Sequence, residues 1–547
     1  MTRPGGLFFF RLLTLLIAMA AALFSAQRTI RWSAPGIVYV SPDGAFLSDG
    51  RSPATAFRTI QRALDQAQPG DTIRVMDGVY FERLHVRRGG AVREPVIIEA
   101  ANPRGAVISW ECPLTDAVSG PWSDEGGDIF SAPTAWPVYR IHAGDATLYR
   151  EPFGGIRKLR LLISRDHAWN SYCYEDGRVY VWLSEGTRAG LAAITTHRRV
   201  PEPREWGEFR SANITVEASH VELRGLSFRF GIGAGILLRN ADFVDVSNSA
   251  FCGATYGVLT VPGNSSNLHL GLHQCLYHNY PQYHWRQGWL SWDEVYAGYS
   301  SSSLLATNVD HVTVNQCCVV HFGDGLRVSN KGDNEDSEAI LSENLIALGT
   351  DDAFEIEGPA RNVRIHHNLV YECHESLGLS PVEIGPVTVE GNLFVHRQDG
   401  LNGAQVKLIN RKSAKENIRN VLLQENLFVG NWLCWSAGSV NDVRVTRNSF
   451  VVNRRAEPAW PAGVVEVGND YFERSNIRLA ANPSSISDSE AEIAAGIQAA
   501  CKQNSALASL SDLLRNSAGP DWWAGDKHPA TLSVIRDLAR IGTLTEQ

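Results

Sequence analysis

Val363-Arg364-Ile365-His366-His367-Asn368-Leu369-Val370 is the stretch whose reading decides the fold. Its order is apolar-x-apolar-x-x-Asn-x-apolar. The same order returns around Asn344, Asn392, Asn426 and Asn448. Successive asparagines stand 24, 24, 34 and 22 residues apart. A period of this size is the signature of a solenoid. Apolar residues alternate by two and show no helical period, so each unit is built from strands. Strands stacked coil on coil pair in parallel about 4.8 Å apart. An asparagine at the same place in every coil can therefore bond its own turn and the asparagine of the next coil.

The pattern runs upstream with other small residues in the asparagine position. Val244 to Phe251 carries Ser249 there, Leu270 to Tyr277 carries Cys275, and Val312 to Val319 carries Cys317. Val221 to Phe228 opens the regular series, which makes eight or nine coils, each touching its neighbours. Cys275 and Cys317 fall on adjoining rungs. They are either within disulfide reach or two small buried side chains stacked inside the coil.

The N-terminal part has its own pattern. Val38-Tyr39-Val40-Ser41-Pro42-Asp43-Gly44 leads to Ala56-Phe57-Arg58-Thr59-Ile60-Gln61-Arg62-Ala63-Leu64, then to Gln68-Pro69-Gly70-Asp71-Thr72-Ile73-Arg74-Val75 and Gly78-Val79-Tyr80. Phe57, Ile60, Leu64 and Ala67 share one helical face. Pro69-Gly70-Asp71 ends that helix in a turn, and Ile73 and Val75 alternate as a first strand. Together with the repeats, these segments resemble the right-handed parallel β-helix, or pectin-lyase-like, superfamily of secreted bacterial type, over residues 38 to 480. The resemblance implies an all-β chain: a right-handed parallel β-helix solenoid with an N-terminal capping helix, a small antiparallel β insertion and short C-terminal helices. It implies little about chemistry, because this fold hosts lyases, hydrolases, epimerases and binding proteins.

The chain of 547 residues carries a net charge of −9. That balance excludes a general nucleic-acid binder. It also means that an acidic polysaccharide would need a local basic patch. Residues 1–30 hold Arg3 and an apolar run from Leu7 to Phe24, read as a signal peptide or an uncleaved signal anchor. The expectation is an exported protein, periplasmic or extracellular, secreted or held at the membrane through residues 7–24, and monomeric. The β-helix spans residues 36–484. Residues 110–210 break the coil pattern, and Tyr172 to Leu183 reads as a hairpin turned at Asp176-Gly177 inside an inserted β subdomain. Residues 279–303 form a second insertion crowded with rings, among them Trp285, Trp289, Trp292 and Tyr296. These rings either bind the apolar faces of sugars or pack the loop on the wall of the solenoid. From 485 to 547 the composition shifts to Ala-rich amphipathic stretches that would cap the C-terminal end.

Aligning coils by their apolar residues produces a second column. Gly325-Leu326-Arg327-Val328 matches Ala353-Phe354-Glu355-Ile356 and then Ser376-Leu377-Gly378-Leu379. The residues just before are Asp324, Asp352 and Glu375, with Asp351 beside them. Carboxylates on neighbouring rungs lie roughly 5 Å apart. Like charges so close need a cation, a shared proton or a basic partner. Three readings follow. Asp324, Asp351, Asp352 and Glu375 could bind Ca2+, which would neutralise a uronate while Arg327 or Lys331 abstracts a proton. Two of the carboxylates could instead be acid and base of a glycoside hydrolase. Or the column is an ordinary solvated face held by an Arg327–Glu355 pair. On the next strand His366 and His367 alternate faces, and an outward His367 would serve as a proton carrier. The sequence thus points to a carbohydrate-active protein, a polysaccharide lyase or glycoside hydrolase of an acidic glycan, or else a glycan-binding or cell-envelope scaffold protein or an epimerase.

Overall fold

The computed structural model describes residues 36–144, 146–151, 154–164, 170–183, 188–198, 211–231, 233–261, 269–278, 302–307, 309–329, 338–396, 404–409, 418–430, 434–437, 440–452 and 460–473. The apolar run 7–24, Lys331, the aromatic residues Trp285, Trp289, Trp292 and Tyr296, and the C-terminal segment 485–547 lie outside them. Among the described residues no helix is long and apolar enough to cross a membrane.

The chain winds as a parallel β-helix of about 12 turns. Its wall is three parallel sheets of 13, 12 and 10 strands. One coil shows the order: Val363–His366 lies in the 13-stranded sheet, Leu369–Tyr371 in the 12-stranded sheet and Glu375–Val382 in the 10-stranded sheet; Val387–Glu390 then returns to the first. Equivalent apolar residues stack, as the repeat requires. Val363 faces Val387, Val387 faces Val421 and Val421 faces Val443. Inside, Phe394, Phe428, Phe450 and Tyr471 form a pile of rings with centroids 4.7, 5.1 and 4.9 Å apart, the spacing of the strands that carry them.

The asparagine positions form one continuous hydrogen-bonded ladder. Nδ2 of Asn344 donates to Oδ1 of Asn368 at 2.9 Å, and the same bond links Asn368 to Asn392, Asn392 to Asn426 and Asn426 to Asn448, each at 2.9 Å. Each of these acceptor oxygens also takes the backbone N–H of the previous asparagine at 2.9 Å. Buried amides are thereby satisfied, which a polar group inside a core requires. The residue before each asparagine is left-handed: Glu343, His367, Gly391, Glu425 and Arg447 have φ of 56°, 56°, 61°, 55° and 52°. Upstream the ladder changes chemistry. The Cys317 N–H donates to Asn344 Oδ1 at 2.8 Å and the Cys275 N–H to Cys317 Sγ at 3.4 Å. These two thiols are buried and not joined by a disulfide.

The helix at the N-terminus is short, Ile60–Leu64. Glu82 accepts the N–H groups of Ile60 and Gln61 at 2.9 and 3.0 Å, filling orphan donors at its start. Phe57, Ile60, Leu64 and Ala67 are buried, as their spacing predicts. The insertion is richer than one antiparallel unit. It holds a 4-stranded and a 5-stranded sheet, and the helix Gly155–Ile163. In the second sheet Tyr149–Arg150 pairs in parallel with Ser171–Glu175, and the rest is antiparallel. The expected hairpin is present: Glu175 faces Arg178 across Asp176 and Gly177, whose φ values of 48° and 75° give the turn its twist.

Two long connections join the same pair of sheets. The insertion leaves the 12-stranded sheet after Ala106–Ser109 and rejoins at Ala212–Val216 in the 10-stranded sheet. Residues 279–301 join the same two sheets three coils later, between Leu276–His278 and Ser302–Thr307. The last two residues of the expected loop, Ser302 and Ser303, belong to that strand. The passage from the 13- to the 12-stranded sheet, in contrast, is the tight left-handed turn of the ladder.

Candidate active site

Directly after the aromatic passage, the corner between the 12- and 10-stranded sheets carries a charged cluster. The 10-stranded sheet pairs Leu326 with Phe354 and Arg327 with Glu355. It then pairs Asp352 with Glu375 and Glu355 with Gly378. This is the register read from the sequence. The next rung adds a residue that reading missed: Gly378 faces Lys407.

Arg327 and Lys407 are the two cations of the cluster. Arg327 Nη2 donates to Glu357 Oε2 at 2.7 Å and its Nη1 lies 3.5 Å from Asp324 Oδ2. Glu355 Oε2 is 3.0 Å from Arg327 Nε at an angle that is not that of a hydrogen bond, so both atoms lack a directed partner. Lys407 Nζ donates to Asp352 Oδ2 and stands 3.7 Å from Asp351 Oδ1. His374 Nδ1 bonds Glu375 Oε2. Ser302 Oγ donates to Asp324 Oδ2 at 3.3 Å. Asp352 is fully buried, and its Oδ1 has no hydrogen-bond partner among the described residues.

Gly378 makes room for this arrangement. A Cβ built there would come within 2.5 Å of Asp352 Oδ1 and 2.6 Å of its Cγ. The carboxylate of Asp352 therefore lies across the backbone of the next rung, where only glycine leaves space for it.

The electrostatics follow from the burial. Six carboxyl groups, those of Asp324, Asp351, Asp352, Glu355, Glu357 and Glu375, share two obligate cations. Burial, reinforced by the charges of Asp324 and Asp352, pushes Glu355 up to about 10. Burial pushes Asp352 up to about 7, with Lys407 opposing the rise. Asp351 is held well above its ordinary value by burial and by Asp352, and Asp324 is raised by burial against the pull of Arg327. Burial alone would lower both cations, but the surrounding carboxylates outweigh it and raise them. Around neutral pH the corner therefore holds a neutral carboxylic acid at Glu355, while Asp352, tied to an ammonium, passes from acid to carboxylate near pH 7.

The structure thus brings together Asp324, Arg327, Asp351, Asp352, Glu355 and Glu375. It leaves out His367, which sits at the opposite passage, between the 13- and 12-stranded sheets. His367 is exposed there, its Nδ1 3.0 Å from Nδ1 of His366. The expected alternation of the two rings fails because His367 is left-handed, with a φ of 56°, so neither ring turns into the core. Arg327 lies in the cluster as one of its cations, its guanidinium held charged by the acidic groups around it. Lys407 and His374 are the additions. Lys407 stands at the site of Arg327 three rungs on and of Glu355 two rungs on, a match legible only once coils of 23 and 29 residues are put in register.

Among the described residues two carboxyl-rich triads have ligand atoms within 4.8 Å of one another: Asp324, Asp352 and Glu355, and Asp351, His374 and Glu375. Calcium suits such oxygen donors. Each triad, however, already faces a side-chain cation, Arg327 beside the first and Lys407 between Asp351 of the second and Asp352. The four carboxylates named for calcium do not converge on one point free of positive charge, so the residues fit that ion poorly.

Fold and corner together define a parallel β-helix with a buried carboxyl cluster on one edge of its wall. Among solved structures, the chain is similar to XylC in complex with xylose, at 10% identity and a TM-score of 0.42 over 80% of this chain and 82% of that one. It is similar to a GH136 lacto-N-biosidase from Eubacterium ramulus, at 13% identity and 0.40 over 82% and 69%. It is also similar to the pectate lyase Pel9A, at 13% identity and 0.36 over 84% and 85%. The likeness is one of fold alone. No protein-family model matches the sequence, and no curated protein matches it.

Proposed function

We propose that this protein hydrolyses a glycosidic bond, with Glu355 as the acid that protonates the leaving oxygen and Asp352 as the carboxylate on the reacting carbon. One observation carries the reading: two carboxyl groups with atoms within 4.8 Å, whose surroundings keep one protonated to about pH 10 and tie the other to a lysine. Pairs of carboxyls driven apart in acidity are how glycosidases divide acid and nucleophile roles. The short separation is that of a double displacement through a glycosyl–enzyme intermediate, which retains anomeric configuration.

The charge state of the two cations speaks against β-elimination with either of them as base. An elimination needs a base that gives up its proton near neutral pH. Arg327 and Lys407 are both held protonated by their neighbours. The excess of carboxyls would also repel a uronate, so the reading moves from the acidic glycan expected from the carboxylate column and the ring-rich insertion to a neutral one. A polysaccharide substrate agrees with the export expected from the apolar run 7–24.

The test is a panel of neutral and uronate glycans incubated with the purified full-length protein, with chelator and with calcium. New reducing ends without unsaturated product are expected on a neutral glycan, unchanged by chelator. Glu355→Gln and Asp352→Asn should each lower turnover by roughly 100-fold or more. Unsaturated products would restore the lyase. Glycan binding without turnover, equal in Asp352→Asn, would make the chain a binding protein.

A further inference from the structure

Calcium is the cation such a column of carboxylates calls for, yet a side chain occupies its centre. Nζ of Lys407 bonds Asp352 Oδ2 and lies 3.7 Å from Asp351 Oδ1. Glu375, on the rung between Asp352 and Lys407, adds its charge to theirs. Two of the four carboxylates that read as calcium ligands thus flank one ammonium, and a third, Glu375, bonded to His374, adds its charge; the ammonium is nearly buried, its side chain 12% exposed. The fourth, Asp324, is taken by Arg327 and Ser302. A second observation points to the same place. Asp352 Oδ1 is buried, faces Gly378 and has no hydrogen-bond partner among the described residues, so one oxygen of the set is left with coordinating capacity.

We propose that Lys407 is a tethered counter-ion that stands in for a divalent cation, fixing Asp352 in position and excluding metal from this corner. An ammonium on a four-carbon stem is a point charge that can be carried into a carboxylate nest without depending on the ion content of the medium. It also repels any divalent ion from oxygens it already occupies. Removing it leaves Asp351, Asp352 and Glu375 as an uncompensated oxygen set of the kind that hard cations bind. The positioning of Asp352 rests on the hydrolase reading above; the exclusion of metal does not.

The test uses full-length protein and manganese as the probe, followed by the paramagnetic signal of the free ion and by thermal denaturation, without any glycan. Wild type is expected to take up no stoichiometric manganese. Lys407→Met is expected to bind one ion per chain and to melt higher with manganese than without, and a further Asp352→Asn change should remove both effects. Lys407→Arg keeps the charge and should bind none. Its pH profile on a substrate should keep the bell shape but move the acid limb, because the partner that holds Asp352 ionised has changed. Stoichiometric binding to wild type that Asp352→Asn abolishes would overturn the proposal. So would a folded Lys407→Met that binds nothing, or one that stays unfolded with manganese present. Since the ion is read without substrate, an inactive wild type would defeat the hydrolase reading and leave this result standing.

Discussion

Asp352 is the residue on which the chemistry turns. Its carboxylate lies over Gly378, is held by Lys407 and keeps one oxygen unpartnered. A methyl group at 378 would have to share space with it, so Gly378→Ala should displace Asp352 and cost most of the activity. The cooperative unfolding of the solenoid should be unchanged, and an active Gly378→Ala would remove Asp352 from its role. The two raised carboxyls also set a pH window. Asp352 must be ionised and Glu355 protonated, so kcat/KM should rise through about pH 7 and fall toward about pH 10. In Glu355→Gln the alkaline limb should vanish along with most of the rate. The sequence shows Asp324, Asp352 and Glu375 in one column because Leu326, Phe354 and Leu377 index the strands that carry them. It hides Lys407, because 29 residues separate it from Gly378 where 23 separate Gly378 from Glu355. His374 is hidden for another reason: it precedes Glu375 at a turn, where no alternation tells which way a ring points.

At the scale of the elements, the ladder is where sequence and structure agree most closely. Asn392 has a single role repeated on both sides: it accepts from Asn368 N and Nδ2, and donates to Ile365 O at 2.8 Å and to Asn426 at 2.9 Å. Asn392→Ala would strand several buried polar groups at once, each costing about 1–3 kcal/mol. A loss of about 3 kcal/mol in urea-induced unfolding is expected, and one below about 0.5 kcal/mol would show that the ladder follows the fold rather than stabilising it. The ladder also runs one rung beyond the motif. Asn448 Nδ2 donates to Asn469 Oδ1 at 3.3 Å, although the repeat breaks at Glu466. That position is apolar in the inner coils, where it faces the core. On the last described strand of the sheet, Val464–Val467, Glu466 is exposed and takes the hydroxyl of Tyr471. A polar residue there costs nothing, so the pattern fades before the fold does.

For the whole molecule, the solenoid explains why the site lies where it does. Each coil meets only its neighbours, so irregular chain is tolerated at a corner without disturbing the stack. The insertion, the aromatic passage and the carboxyl cluster all use the corner between the 12- and 10-stranded sheets. That convergence is invisible in the sequence, which shows three separate breaks in a pattern and not the edge they share. The buried acid affects the stability of the whole fold. Glu355 keeps its proton to about pH 10 when folded but releases it near its ordinary 4.5 when unfolded. Across that window the unfolded chain binds fewer protons, so stability falls as pH rises. The melting temperature of Glu355→Gln should therefore depend less on pH between 5 and 9 than that of wild type, and an equal slope in the two would mean that Glu355 is ionised in the folded protein.

The central claim is that the carboxyl pair adds water across a glycosidic bond. It is tested most directly by digesting a panel of neutral and uronate glycans in water enriched in heavy oxygen and weighing the products. Hydrolysis predicts fragments that carry one heavy oxygen at the new reducing end and no unsaturation, with none formed by Glu355→Gln. Unlabelled, unsaturated fragments, or no fragments from any glycan in the panel, would contradict it.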